Sequence, residues 1–451
     1  MALLSSSEAE ALLQKVLSFS KADEMEATLR GNRIAYTRFG ASTVSTSGDT
    51  EDLSLGVNAH FGQRAGVATT NTLDDKSLER VVRAAEEIAR LRPEDPEQQP
   101  FLTRQQYHPA ESAFDEATFN ADANIRARGI AATLEPARAK NLSAAGLFDH
   151  SGGFLARANT RGNFGYARSS QSSFTATVRT ADDLGSTGSG WGSAMSHRIS
   201  DIDAKAIGAR AIQKAELSRQ PVAVEPGNYT VILEPNAVGD LFAGLMGFFQ
   251  ARSADEGRSF LSKKGGGTRL GEKIFGEGVN IYADPSFARG PGAPFDGEGL
   301  PTKRLELVTA GVVKNLFYSR YWARKQGKEP TAGATNLILE GGTTTIEDMI
   351  KSTERGILVT RFWYNRLVDP QSVLYTGLTR DGVFLIEQGR IKSAIKNFRF
   401  NESPVKMLNN VEAMSPVVRI TGSERAGAGR PIFAPALKVR DFAFTSLSDA
   451  I

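Results

Sequence analysis

Residues 228–249 read NYTVILEPNAVGDLFAGLMGFF, and the pattern changes once, at Glu234–Pro235. Before that point NYTVILEP is strand-like, rich in β-branched and aromatic residues. After it comes DLFAGLMGFF, Asp240–Phe249, almost wholly apolar, which reads as a buried helix. Gly244 and Gly247 stand three apart inside it. Each costs a helix about 1 kcal/mol relative to alanine. The pattern therefore predicts a close approach of backbone to a neighbour, and raises the question of whether this helix carries a reaction centre.

Just upstream, RQPVAVEPGN (219–228) has two prolines and little periodicity, and it marks the expected domain boundary. A chain of 451 residues is too long for one ordinary core, so two domains are expected, 1–220 and 221–451. In the first, a helix is expected over 8–19, capped by Ser7, with Ala9, Leu12, Leu13, Val16 and Leu17 on one stripe. EMEATLRGNRIAYTRFG (24–40) alternates with period two and is expected to turn at RGN. Two strands follow in 53–70, with Gly62 in their turn, then a helix over 75–91 and the proline-rich PEDPEQQP. Another helix is expected over about 115–137, strands through 141–180, and a closing helix over 201–218. No internal repeat is evident.

The second half reads mostly as strands: TKRLELVTAGVVKNLFYSRYWA with a turn at 309–311, GILVTRFWYNRL, and GVFLIEQGRIKSAIKNFRF with a turn at Gln388–Gly389. Residues 284–301, rich in Gly and Pro, read as an ordered loop across a site or interface. The expected fold is α+β: an N-terminal α/β domain, then a mainly antiparallel β C-terminal domain with an inserted buried helix.

Composition excludes several chemistries. There is no cysteine, which removes disulfides, thiolate catalysis and cysteine metal sites. The net charge of +3 is scattered without a basic stripe, arguing against nucleic acid as a partner. No apolar run approaches the ~18 residues that span a bilayer, and the start lacks a signal-peptide pattern, so a cytoplasmic protein without membrane contact is expected. The histidines, His60, His108, His150 and His197, are too dispersed for a local zinc pair. A lone histidine such as His197 is more often a surface or hydrogen-bonded residue. GGTRLGEK (266–273) lacks the lysine and hydroxyl directly after the second glycine that a phosphate loop needs. GSGWGSA (188–194) lacks the setting of a serine nucleophile. Asp255, Glu256 and Arg258 follow the apolar helix directly and are candidates to line a cleft. In TRFWYNR, Arg361, Trp363 and Tyr364 are candidates to touch a ligand, the alternative being that Phe362 and Tyr364 share the core face of a strand.

The order of several segments resembles the TldD/PmbA family of metalloproteases. AGVATTNTLDDKSLERVVRAAEEIAR (65–90) is similar to its strand–helix element, and NTRGNFGYARSSQSSFTATVR with PVAVEPGNYTVILEPNAVGDL to its domain junction. Residues 295–327 resemble its D-x-E-G ribbon and 356–403 its closing β-segments. Zinc-bearing members carry H-E-x-x-x-H on the helix after the junction strand, with a later cysteine. On that pattern Ala243 and Phe248 stand where the histidines would be, and Gly244 where the glutamate would be. The resemblance is thus to the PmbA/TldE-like branch. It implies no cofactor bound by this chain, zinc in a TldD-like partner subunit, and short or unfolded peptides as substrate. A homodimer serving as a non-catalytic peptide-binding or scaffold protein is the alternative.

Overall fold

The computed structural model describes residues 3–180, 188–422 and 430–448. Its first helix, Ser6–Ser18, starts at Ser5 rather than Ser7. The Ser5 hydroxyl and the Glu8 carboxylate three residues on satisfy each other's backbone amides, at 3.3 and 2.8 Å.

The stretch expected to form a hairpin at RGN is one strand, Glu24–Gly40. Alternation runs unbroken through it, with Met25, Ala27, Leu29, Ala35 and Phe39 all buried on one face. Gly31 makes room rather than a turn: a Cβ there would stand 2.3 Å from the Phe154 ring. The chain reverses instead at Ala41–Ser42, where both φ angles are positive (47° and 58°), as a two-residue hairpin turn demands. The strand pair expected within 53–70 is Thr43–Phe61 and Arg64–Thr70, its first strand starting well before Leu53, and the helix Asp75–Leu91 follows as expected. The helix expected over 115–137 is two, Glu116–Phe119 and Ala123–Ala139, because Asp115 and Asp122 each cap a separate start. Leu142–Asn159, Phe164–Thr180, Ser189–Ser196 and the helix Ala204–Leu217 complete this region.

These strands form one antiparallel sheet, in the order 64–70, 43–61, 24–40, 142–159, 164–180, 189–196. The order reveals a duplication. Each half runs helix, long strand, long strand, short strand, helix, and the halves meet along the Glu24–Gly40 and Leu142–Asn159 pair. Both helix pairs lie on one face, one at each end of the long strands, over separate apolar clusters around Leu29–Val57 and Phe148–Phe174.

Beyond residue 226 the chain is β-rich. Gly227–Leu233, Arg355–Asp369, Leu374–Glu387, Asn397–Glu402 and Leu437–Ser448 close into a barrel. One of its pairings, Ile357 on Val231, is parallel; the other four are antiparallel. Its interior is aromatic: Phe362 stacks on Phe442 (5.7 Å) and Phe398 on Phe444 (4.7 Å). A second sheet has the order 312–313, 305–309, 281–283, 337–339, 432–434, 418–419. The helix Pro235–Met246 packs on both barrel and second sheet, and one continuous apolar core joins all three. The molecule is therefore an N-terminal mixed α/β region followed by a β-rich region with a buried helix inserted. Among the described residues no helix is long and apolar enough to cross a membrane.

Candidate functional site

The helix Pro235–Met246 emerges from the barrel strand Gly227–Leu233 with Pro235 in its first turn, where a missing N–H costs nothing. Its two glycines differ. A Cβ on Gly244 would stand 2.5 Å from the hydroxyl of Tyr375, which lies over the helix, whereas one on Gly247 would meet nothing within 4 Å. The expected close approach is thus real at Gly244 alone. The helix stops at Met246, so Gly247–Phe249 form a tighter 3₁₀ turn. Phe248 turns its ring edge-on to Phe260 (6.4 Å), and its carbonyl accepts a bond from Ser259 (2.9 Å).

Zinc needs nitrogen, sulfur or oxygen lone pairs at about 2.0–2.3 Å. Ala243, Gly244 and Phe248 present a methyl, a hydrogen and a phenyl ring, so these residues do not fit the metal. Among the described residues no group of three or more His, Cys, Asp or Glu could hold one.

The acidic residues after the helix are committed to neighbours. Asp255 accepts from the Trp322 indole at 2.7 Å. Glu256 pairs with Arg258 and with Arg252 (3.0 Å), and those bonds hold its carboxyl below the usual range. Arg252 also grips Glu97 through two bonds of 2.7 and 2.9 Å, tying the connection after the first helix pair to this region. Arg361 is buried and paired with buried Asp381, which also accepts from Ser189 at 2.5 Å. Trp363 lies between Arg361 (5.3 Å) and Arg380 (4.8 Å). Phe362 points into the barrel, but a bulge turns Tyr364 outward, 56% exposed with φ 58° and Arg366 stacked on its ring. The one-face alternative for Phe362 and Tyr364 is therefore corrected. The two candidate groups sit on separate elements. Asp255, Glu256 and Arg258 share one short helix end, and Arg361 and Trp363 stack together at the edge of the N-terminal sheet.

Sequence reasoning missed a cleft of about 1010 Å³ where the N-terminal sheet faces the second sheet. The loop 284–301 does line it, through Pro291–Pro294. His197, expected to be exposed or hydrogen-bonded, is buried, 5% exposed, with the Arg289 backbone against its ring. Burial, with Arg198 and Arg419 nearby, pushes its pKa down. Arg419 reaches Gln171 Oε1 at 3.1 Å and leaves its Nε unbonded, and burial lowers its pKa to about 10. Arg430 bonds the Ala334 carbonyl, at 3.3 Å. No local motif announces a site assembled from strands so distant in sequence.

Comparisons with known proteins agree along the chain. Family models for the PmbA/TldA metallopeptidase domain 1, central domain and C-terminal domain match residues 29–89, 113–219 and 226–446. Metalloprotease PmbA of Escherichia coli O157:H7 is 23% identical over 435 residues, covering 91% of this chain and 92% of that protein. A metalloprotease of Methanothermobacter thermautotrophicus is 26% identical over 48% of this chain and 49% of its own length. The crystal structure of TldE from Thermococcus kodakarensis superposes with a TM-score of 0.86, covering 97% of this chain and 99% of that one at 18% identity, a likeness of fold. The chain belongs to the PmbA/TldD metalloprotease family.

Proposed function

We propose that the chain is a TldE/PmbA-like subunit of a two-chain zinc peptidase, working in the cytoplasm beside a TldD-like subunit that holds the metal. The complex cleaves short or unfolded peptides, and this chain alone is inactive. One observation carries the reading: the helix Pro235–Met246 and its following turn offer Ala243, Gly244 and Phe248 where two imidazoles and a carboxylate would be needed, and the chain has no cysteine. The match to PmbA over most of both chains supports it. Substrate contact is proposed at two places. Asp255, Glu256 and Arg258 form one, with Glu256 and Arg258 exposed; Arg361, Trp363 and Tyr364 form the other, with Tyr364 the most open to solvent. The chemistry on offer there is ionic and aromatic, suited to side chains of an extended peptide.

The test is cleavage of an unstructured peptide with added zinc. The chain alone leaves it intact; co-expressed with a TldD-like chain bearing H-E-x-x-x-H, the mixture cuts it. Turnover by the chain alone contradicts the reading. Peptide binding without turnover in any mixture points instead to a scaffold.

A further inference from the structure

The cleft has a feature that no zinc chemistry explains. Its side chains carry donors without acceptors. Among the described residues, the Nε atoms of Arg168 and Arg419 are buried without hydrogen-bond partners, and both residues line this one cleft with His197. Among the described residues Arg430, beside them, has no carboxylate partner, whereas Arg168 is paired with Glu116 at 2.6 Å. An unpaired buried donor costs about 1–3 kcal/mol and more when charged, so a fold that places two at one opening is built for an acceptor.

The same opening borders an unpaired strand edge. Phe164–Thr180 pairs along its whole length with Leu142–Asn159, but on its other side Ser189–Ser196 reaches only as far as Ser172. There the chain turns away through His197 into the short turn Ile199–Asp201. Residues 164–171 are left without a strand neighbour, and among the described residues none of their backbone groups bonds outside the ladder. The connection 105–115 passes over this edge, tied at Asn163 (3.0 Å) and at Ser170 (2.9 Å). Alternation puts Arg168 on one face of the strand, against the Phe114 ring at 3.6 Å, and Gln171 with Arg419 on the other. The slot is the part of the cleft lined by residues 166–171, Arg419 and Arg430, and Arg419 is bonded to Gln171 next to the point where the pairing with Ser189–Ser196 stops.

We propose that this slot binds an extended peptide by strand addition to residues 164–171, its C-terminal carboxylate held by Arg419 and Arg430 beside His197. Guanidinium groups match a carboxylate geometrically, and capture of a chain terminus fixes the register of an otherwise sequence-tolerant strand. The carboxylate at the Gln171 end lays the peptide parallel to Phe164–Gln171. In this arrangement the metal-free subunit grips the substrate end while its partner cuts. The inference rests on the proposed peptidase role for the identity of the ligand.

The experiment measures binding to the full chain without partner, by titration calorimetry, of one unstructured peptide in three forms: free carboxylate, C-terminal amide, and free carboxylate in competition with inorganic phosphate. The free acid binds at least about tenfold tighter than the amide, as loss of a charge-assisted pair predicts. In Arg419→Gln/Arg430→Gln the difference disappears, and Arg419→Lys retains part of it. The wild-type comparison of acid with amide stands even if a variant fails to fold. Equal binding of acid and amide, or absence of binding by both, overturns the proposal. So does one-to-one binding of phosphate that the peptide acid does not displace. Cleavage of the same peptides by the chain mixed with a TldD-like partner separates the two claims. Cleavage without an acid preference in binding sinks the slot and leaves the peptidase role; acid preference without cleavage in any mixture does the reverse.

Discussion

Gly244 and Gly247 look equivalent in the sequence and are opposite in the structure. Gly244→Ala forces a methyl against the Tyr375 hydroxyl and is expected to cost about 1–3 kcal/mol. Gly247→Ala meets open space at φ −61° and is expected to be neutral or to stabilise by about 0.5–1 kcal/mol. Urea denaturation of the two variants checks the contrast. His150 makes a different point. Its Nε2 faces the Arg126 Nη1 at 2.7 Å, and a guanidinium can only donate, so the ring is held neutral. Burial, then Arg126 and Arg33, against a smaller pull from Asp49, lowers its pKa from 6.5 to about 4. Across that window the unfolded chain takes up a proton that the folded chain refuses. Stability from this residue is therefore complete above pH 6.5 and is lost as pH falls towards 4. His60 and His197 are lowered in the same direction by burial. His150→Gln, which can still accept from Arg126, should flatten the fall in urea midpoint between pH 6.5 and 4 without abolishing it; an unchanged slope contradicts the assignment. None of this was legible in the sequence, because a histidine's burial depends on which strands close over it.

Strand Glu24–Gly40 shows where local reading fails and why. Glycine in RGN suggested a turn, yet the phase of its buried residues never breaks, and the glycine answers a ring on a strand far along the chain. Helix starts were more legible, since caps act locally: Asp74 was implicit in the expected start at 75, and Gln388–Gly389 turns as expected with φ of 51° and 72°. The barrel's link to the N-terminal sheet was not. Asp381 joins Arg361 on the neighbouring strand to Ser189 of the sheet edge, and the Arg361 guanidinium lies 4.8 Å from the Trp191 ring. Asp381→Asn keeps the left-handed backbone (φ 55°) but strands a buried arginine. A loss of about 3–5 kcal/mol is expected, with much of it recovered in Asp381→Asn/Arg361→Met. Equilibrium unfolding of the single and double variants measures the coupling; simple additivity contradicts it.

The whole chain keeps two architectural facts out of sight of its sequence. The helix–strand–strand–strand–helix duplication survives in topology without shared motifs, because many residue combinations satisfy the same alternation. The barrel closes through a parallel pairing of Ile357 with Val231, which no local pattern specifies. The apolar make-up of the inserted helix, by contrast, is plain in Ala243, Gly244, Phe248 and a missing cysteine. A hydrophobic wall cannot replace two imidazoles, so Phe248→His alone should leave zinc affinity unchanged. The decisive measurement is zinc per chain after the purified protein is saturated with the metal and desalted. Well under one tenth of an equivalent is expected, as an order-of-magnitude threshold for a chain lacking a three-ligand set. One tightly held zinc per chain, together with peptide cleavage by that preparation, would contradict the assignment outright.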